Sequence, residues 1–155
     1  MLKGVPAVIT PDLLKTLAEM GHGDRLAIVD RNYPSHSSCA RVHHLPGVDT
    51  AAAARAILQL FPVDDVDAPA AFRITPVGDP SPRDSHREFA AELAAAHGSQ
   101  IEVAPVERLD FYALARDVGA IVQTGEPRGY SCFVIVKGVL ATDGTELDAP
   151  RQCCR

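Results

Sequence analysis

Tryptophan is absent and aromatic residues make up only 5% of the chain. That removes the stacking platform on which single-stranded nucleic acids are usually held. Nor is there a cationic excess: 15 basic against 20 acidic residues leave a net charge of −5, the wrong sign for a phosphate backbone. No apolar run approaches the ~18 residues a membrane span needs. Met1-Leu2-Lys3-Gly4-Val5-Pro6 lacks the apolar h-region of a signal peptide. Cysteines are few, at 39, 132, 153 and 154, and their scatter is no disulfide framework. Reduced thiols and a cytoplasmic location are therefore expected. Cys39, His43 and His44 invite drawing as metal ligands, but no paired spacing completes a zinc set, and no metal is expected. A P-loop, a dinucleotide fingerprint and a Gly-x-Ser-x-Gly elbow are all missing, so no cofactor is expected.

What is present is an ordinary globular composition, 46% hydrophobic over 155 residues, enough for one domain with a real core. Thr10-Pro11-Asp12 reads as a helix start, with a capping hydroxyl, proline in the first turn and an acid at the positive end. Leu13, Leu14, Leu17 and Ala18 follow at helical spacing as the buried stripe, and Gly21 closes the helix. Arg25 to Asp30 is strand-like, and 31–38 is loop by composition. A helix capped by Asp49 or Thr50 ends before Pro62, and Ala70–Thr75 is a strand. Ser85 and Glu88 form a capping box for a helix from there to His97, stopped by Gly98. Strands are expected over Ile101–Val106, Ala120–Gln123 and Tyr130–Val136, with a helix over Leu109–Val118. Such alternation predicts an α/β fold: one layered domain over 1–140, a mostly parallel or mixed sheet covered by helices. A polar tail over 141–155 completes the chain.

The stretch around which the rest is arranged is Met20-Gly21-His22-Gly23-Asp24. With glycine on both sides, His22 is uncrowded and free to project into a cleft. A plain helix-to-strand connection carrying polar residues is the competing account. Asp30 ends the following apolar run, where open α/β sheets bind ligands. Other polar residues at strand ends or in glycine-bearing loops are Asp24, Arg108, Thr124-Gly125-Glu126 and Tyr130. Each has a structural alternative: Asp30 as a turn cap, Arg108 paired with Glu107 or Asp110, Tyr130 as core with its hydroxyl at the rim. Asp24 and Glu126 read mainly as holders of their turns. Cys132, inside an apolar strand, is inert core before it is a nucleophile. What remains is an acid–base set of imidazole, carboxylate, guanidinium and phenol, suited to moving protons on a hydroxyl-rich small molecule.

Met1-Leu2-Lys3-Gly4, Leu13-Leu14 and Met20-Gly21-His22-Gly23-Asp24 resemble the RbsD/FucU family of sugar mutarotases. So do Asp30-x-Asn32-x-Pro34, Glu107-Arg108-x-x-Phe111-Tyr112 and Thr124-Gly125-Glu126 followed by Tyr130. The similarity runs to about Leu140, is weakest across 40–100, and with Arg108 favours the fucose branch. It implies exchange between the α and β anomers of a free monosaccharide, L-fucose or a close relative. His22 would be the proton donor, and Asp30, Arg108 and Tyr130-Ser131-Cys132 the sugar-binding residues. It also implies ring-shaped homo-oligomers, a decamer being one such ring. A histidine titrating near neutral pH can serve ring opening in both directions. The alternative is a non-catalytic sugar-binding or transport-accessory protein, which has no need of so exposed an imidazole.

In one place the chain departs from that pattern. The family usually follows the tyrosine with a small residue and an asparagine, whereas here Ser131 is followed by Cys132, which lacks the amide's donors and acceptor. Strand length supplies a further expectation. Six residues from Arg25 to Asp30 span roughly 16–20 Å, too far for one monosaccharide to touch both ends. His22 is therefore expected to serve a pocket whose Asp30, Arg108 and Tyr130 belong to a neighbouring subunit.

Overall fold

A computed structural model describes residues 2–64, 69–97, 101–141 and 144. The expected stop at Gly98 and most of the tail, with Cys153 and Cys154, lie outside the described residues. The first helix, α1 (Pro11–Glu19), starts as its cap dictates, with Thr10 Oγ1 accepting from the Leu13 N–H at 3.2 Å. Its buried stripe is Leu13, Thr16, Leu17 and then Met20. Leu14 is only half-buried and Ala18 is exposed, against expectation. Thr16 can take the buried place because its hydroxyl is satisfied by His43 Nε2 at 2.9 Å. Met20, in an extended conformation, ends the helix. The left-handed residue of this loop is Gly23, at φ +82°, and not Gly21.

The chain continues through β1 (Arg25–Val29), a short α2 (Ser35–Ser38), β2 (Val42–Leu45), α3 (Thr50–Leu58) and β3 (Ala71–Thr75). It then forms α4 (Asp84–His97), β4 (Val103–Glu107), α5 (Arg108–Leu114) with a 3-10 turn over Ala115–Asp117, β5 (Ala120–Thr124) and β6 (Phe133–Val136). The six strands make one sheet in the order β2-β5-β1-β6-β3-β4. Five run parallel, and β6 alone is antiparallel to both its neighbours, β1 and β3. The mixed α/β sheet expected from the alternation is thus present.

Both faces of the sheet are covered, which is why β1 reads as an unbroken apolar run. Leu26 and Ile28 pack with Leu13, Ile57, Phe61, Phe89 and Phe133 on one side. Ala27 and Val29 pack with Ile74, Phe111, Ile121 and Val134 on the other. Each fully buried large side chain contributes about 1.5–3 kcal/mol.

Two elements escaped the sequence pattern. Strand β2 is an edge strand whose Val-His-His-Leu sequence lacks the apolar run of an interior strand, and α2 is a single polar turn within the expected loop. The capping box at Ser85 is not formed. Helix α4 begins one residue earlier, Ser85 is buried, and Glu88 pairs with Arg128 at 2.7 Å. The His86 imidazole supplies the capping acceptor instead, taking the Arg83 N–H on Nδ1 at 3.0 Å.

This topology fixes where polar residues gather. The carboxyl ends of β1, β3, β4 and β5 and the amino end of β6 share one edge of the sheet. The amino end of β1 and the carboxyl end of β6 share the opposite edge.

Candidate functional site

At the carboxyl edge lies a cavity of about 200 Å³. Asp30 reaches it from the end of β1, Arg108 from the first turn of α5, and Tyr130 and Cys132 from the approach to β6. Asn32 joins the polar lining, while Ile74, Tyr33 and Tyr112 form an apolar wall. The two tyrosine rings lie 5.6 Å apart. A small pocket with a few convergent polar groups and an apolar side suits one small polar molecule.

Asp30 is 5% exposed. Its Oδ1 accepts from the Asn32 N–H at 2.9 Å, and its Oδ2 accepts from the Cys132 thiol at 3.3 Å. It caps its turn and lines the pocket at once, so the two accounts of Asp30 are not exclusive. Burial pushes the Cys132 thiol well up, and the Asp30 carboxylate adds to the effect. Cys132 is therefore a protonated donor rather than a nucleophile. Arg108 is exposed and forms no ion pair among the described residues. Glu107, one of its suggested partners, instead accepts from the Gly78 N–H at 2.9 Å. The guanidinium is left with its donors open to the pocket.

Tyr130 has a left-handed backbone, φ +62°, the one positive φ recorded for a non-glycine residue among those described. Such a conformation costs about 1–2 kcal/mol and interrupts the expected strand, so β6 begins at Phe133. Ser131, expected beside it in the site, is fully buried, with its hydroxyl 2.8 Å from that of Ser85; its side chain does not line the cavity. Glu126 holds its turn, as expected: it is fully buried and accepts from Arg128 and Thr50. Gly125 permits that turn, because a Cβ there would sit 2.2 Å from the Pro46 carbonyl oxygen.

His22 is not in this cavity. It stands at the opposite edge of the sheet with its side chain about half exposed, Nε2 3.2 Å from Oδ2 of the buried Asp64. The loop that presents it is tied down from several sides. Asp24 Oδ2 accepts from the Gly21 N–H at 2.7 Å. The Gly23 N–H donates to the Lys137 carbonyl, and the Lys137 N–H to that of Asp24. Lys137 Nζ donates to the carbonyls of Leu17 and Met20, a cation at the negative end of α1. Asp64 is brought in by its own N–H, which donates to the Val136 carbonyl at 2.9 Å. Gly138 permits this approach, since a Cβ there would meet the Val63 backbone at 2.8 Å. Asp64 carried no sequence signal, because its partner His22 lies 42 positions away and no motif links them.

No group of three or more His, Cys, Asp or Glu side chains converges as a metal site among the described residues. His43 bonds Thr16, His44 meets His36, and the Cys39 thiol donates to the Val118 and Arg41 carbonyls. A larger groove of about 710 Å³ lies between α3 and α4. Its arginines are already paired, Arg55 with Glu92 and Arg128 with Glu88 and Glu126, and Asp49 caps α3. No helix among the described residues is long and apolar enough to cross a membrane.

A mostly parallel α/β sheet with a small polar cavity at its carboxyl edge defines a protein that handles a small molecule. The chain belongs to the RbsD / FucU transport protein family, whose sequence model matches residues 3–140. It is 40% identical over 150 residues to the fucose mutarotase of Danio rerio, covering 90% of this chain and 95% of that protein. It is 39% identical over 140 residues to the L-fucose mutarotase of Actinobacillus pleuropneumoniae serotype 5b (strain L20), covering 90% and 97%. Among solved structures it resembles the fucose mutarotase of Streptococcus pneumoniae in complex with L-fucose, with a TM-score of 0.84 and 32% identity. That match covers 90% of this chain and 100% of the other.

Proposed function

We propose that the protein is a mutarotase that interconverts the α and β anomers of a free monosaccharide, with L-fucose the first candidate. The observation that carries this reading is the meeting of Asp30, Tyr130 and Arg108, which forms no ion pair among the described residues, in one cavity, in a chain so similar to proteins named fucose mutarotase. Asp30 accepts from sugar hydroxyls, Arg108 donates to them, and Tyr130 does either. His22 delivers a proton to the ring oxygen while the anomeric hydroxyl gives its own to solvent water, which breaks the bond between the anomeric carbon and the ring oxygen and opens the ring to the aldehyde. Rotation about the bond to the carbonyl carbon and the reverse proton transfers close it on the other face. No atom is gained or lost overall. The buried Asp64 holds the imidazole in register. One well-placed acid–base group contributes about 10²–10⁴ in rate.

Because His22 and Asp30 lie at opposite ends of β1, a working site takes its His22 from a neighbouring copy of the chain. The protein is accordingly a homo-oligomer with its sites at subunit interfaces. Saturation-transfer NMR between the α and β anomeric protons of L-fucose tests the activity. His22→Ala is expected to lower exchange by at least about 10² with the fold retained, since a half-exposed loop residue packs little core. Exchange at the parent rate in this variant removes His22 from the mechanism. Sugar binding by the parent without exchange makes the protein a carrier and not an enzyme.

A further inference from the structure

We propose that His86 is the positioning residue of the pocket: its hydrogen bonds hold Tyr130 in the left-handed conformation that turns this residue toward the sugar. The inference rests on the cavity described above being the sugar site. An L-residue other than glycine stays in that backbone region only where its surroundings over-determine it, and at Tyr130 those surroundings come from the start of α4. The His86 ring is 2% exposed and edge-on to Phe133 at 5.8 Å. Its Nδ1 accepts the Arg83 N–H at 3.0 Å and lies 3.3 Å from Arg73 Nη1, which can only donate. Two donors on Nδ1 leave the proton on Nε2, and Nε2–H donates to the Tyr130 carbonyl at 2.7 Å.

The neighbours reinforce this mount. Ser85 ties Ser131 by their hydroxyls, so consecutive residues of α4 hold consecutive residues of the pocket segment. Arg83, fixed through its N–H on His86, lays its guanidinium 4.8 Å above the Tyr130 ring. The charged groups acting on His86 are Arg73 on β3, Arg83 before α4 and Arg87 on α4, all cations. Burial first, and these cations after it, favour the neutral ring against the opposing pull of the Tyr130 carbonyl, and only the neutral ring can accept on Nδ1 while donating from Nε2.

The test compares His86→Gln with His86→Asn. The longer glutamine amide can place an N–H where Nε2–H stands, whereas asparagine can replace only the Nδ1 acceptor. With L-fucose, KM is expected to rise about tenfold in His86→Asn, the worth of one good hydrogen bond, with kcat within about twofold. His86→Gln is expected to restore most of the loss. Equal KM in parent and His86→Asn, or equal losses in both variants despite equal folding, overturns the proposal. NMR of the parent and both variants gives a readout free of sugar. The ring nitrogens of His86 are expected to show the proton on Nε2, and the Tyr130 amide–α coupling the left-handed value, lost in His86→Asn and kept in His86→Gln. A Tyr130 coupling unchanged in His86→Asn refutes the positioning role even if the protein proves to act on no sugar. Absence of anomer exchange in the parent, with these couplings as expected, counts against the mutarotase reading alone.

Discussion

Cys132 stands where a polar amide would make the pocket more hospitable. Its thiol is committed to Asp30, and a sulfur offers a sugar hydroxyl little beyond contact. Cys132→Asn keeps a donor toward Asp30 and adds an acceptor. With L-fucose as substrate this variant is expected to bind more tightly or exchange faster, by up to about 1.5–3 kcal/mol. Calorimetric titration beside the NMR assay reads both quantities. A loss for fucose together with a gain for another aldose would show that cysteine encodes a different specificity. Two histidines set a second expectation. Burial holds both His86 and His43 below the ordinary histidine value, and nearby arginines push the same way, although the Tyr130 carbonyl for His86 and the Asp12 carboxylate for His43 partly oppose it. A base depressed in the folded state gives its full stabilisation above the unfolded value, about 6.5. That stabilisation is lost as pH falls through the folded values. Glu88, Glu92 and Glu126 are depressed too, but from 4.5, so their losses come at lower pH. Tm is therefore expected to fall between pH 7.5 and 5.5. A flat or rising Tm across that window would show that these histidines do not limit stability.

Among the elements, the loop of His22 depends on a residue more than a hundred positions later. Lys137 bonds the last carbonyls of α1 and brackets Gly23 and Asp24 with its backbone. Lys137→Met keeps the stem and removes the cation. It is expected to cost about 1–2 kcal/mol of stability and to lower kcat for anomer exchange, while the KM set by the Asp30 pocket stays within about twofold. Thermal unfolding with exchange kinetics checks this, and an unchanged kcat would show that the loop holds without the amine. Much at this scale was legible in the sequence, because local chemistry sufficed: Thr10-Pro11-Asp12 capped α1 as read, and the two-faced burial of β1 appeared as its apolar run. Asp30, Arg108 and Tyr130, each sitting at an element end, were legible as candidates for the same reason, and the fold gathers all three at one cavity. Three features were not. Ser85 satisfied the pattern of a capping box, yet a buried hydroxyl partner on Ser131 drew it inward. Asp64 joins His22 only through the folded sheet. Tyr130 gives no hint of a left-handed backbone, because the cause lies on α4 and not in its own neighbourhood.

Taken whole, the molecule places His22 and the Asp30 cavity on opposite edges of its sheet, and on the function proposed above each is half of a site. The strand-length reckoning anticipated this separation, since β1 is too long for one sugar to bridge. Mixing two disabled chains tests whether neighbours complete each other. Chains with His22→Ala and chains with Arg108→Ala, each inactive alone, are co-expressed in equal amounts and purified as mixed oligomers through two tags. If sites are shared, one parent's intact His22 meets the other's intact Arg108 in about a quarter of them, and exchange returns to about that fraction. No recovery would place both residues in the site of a single chain.

The lone antiparallel strand has a consequence for such an assembly. Strand β6 leaves the Asp30 cavity just after Cys132, and its four residues lead to Lys137, under the histidine loop. With shared sites, each copy of β6 belongs to two of them, bordering one sugar at its start and steadying the proton donor of another at its end. On that assembly, any shift of β6 caused by occupancy in one subunit reaches the proton donor of the next, and the influence on affinity must run equally in both directions. In the proposed assembly, a sugar titration is then expected to show coupled sites, and a simple hyperbola with independent sites would show that β6 carries no such shift.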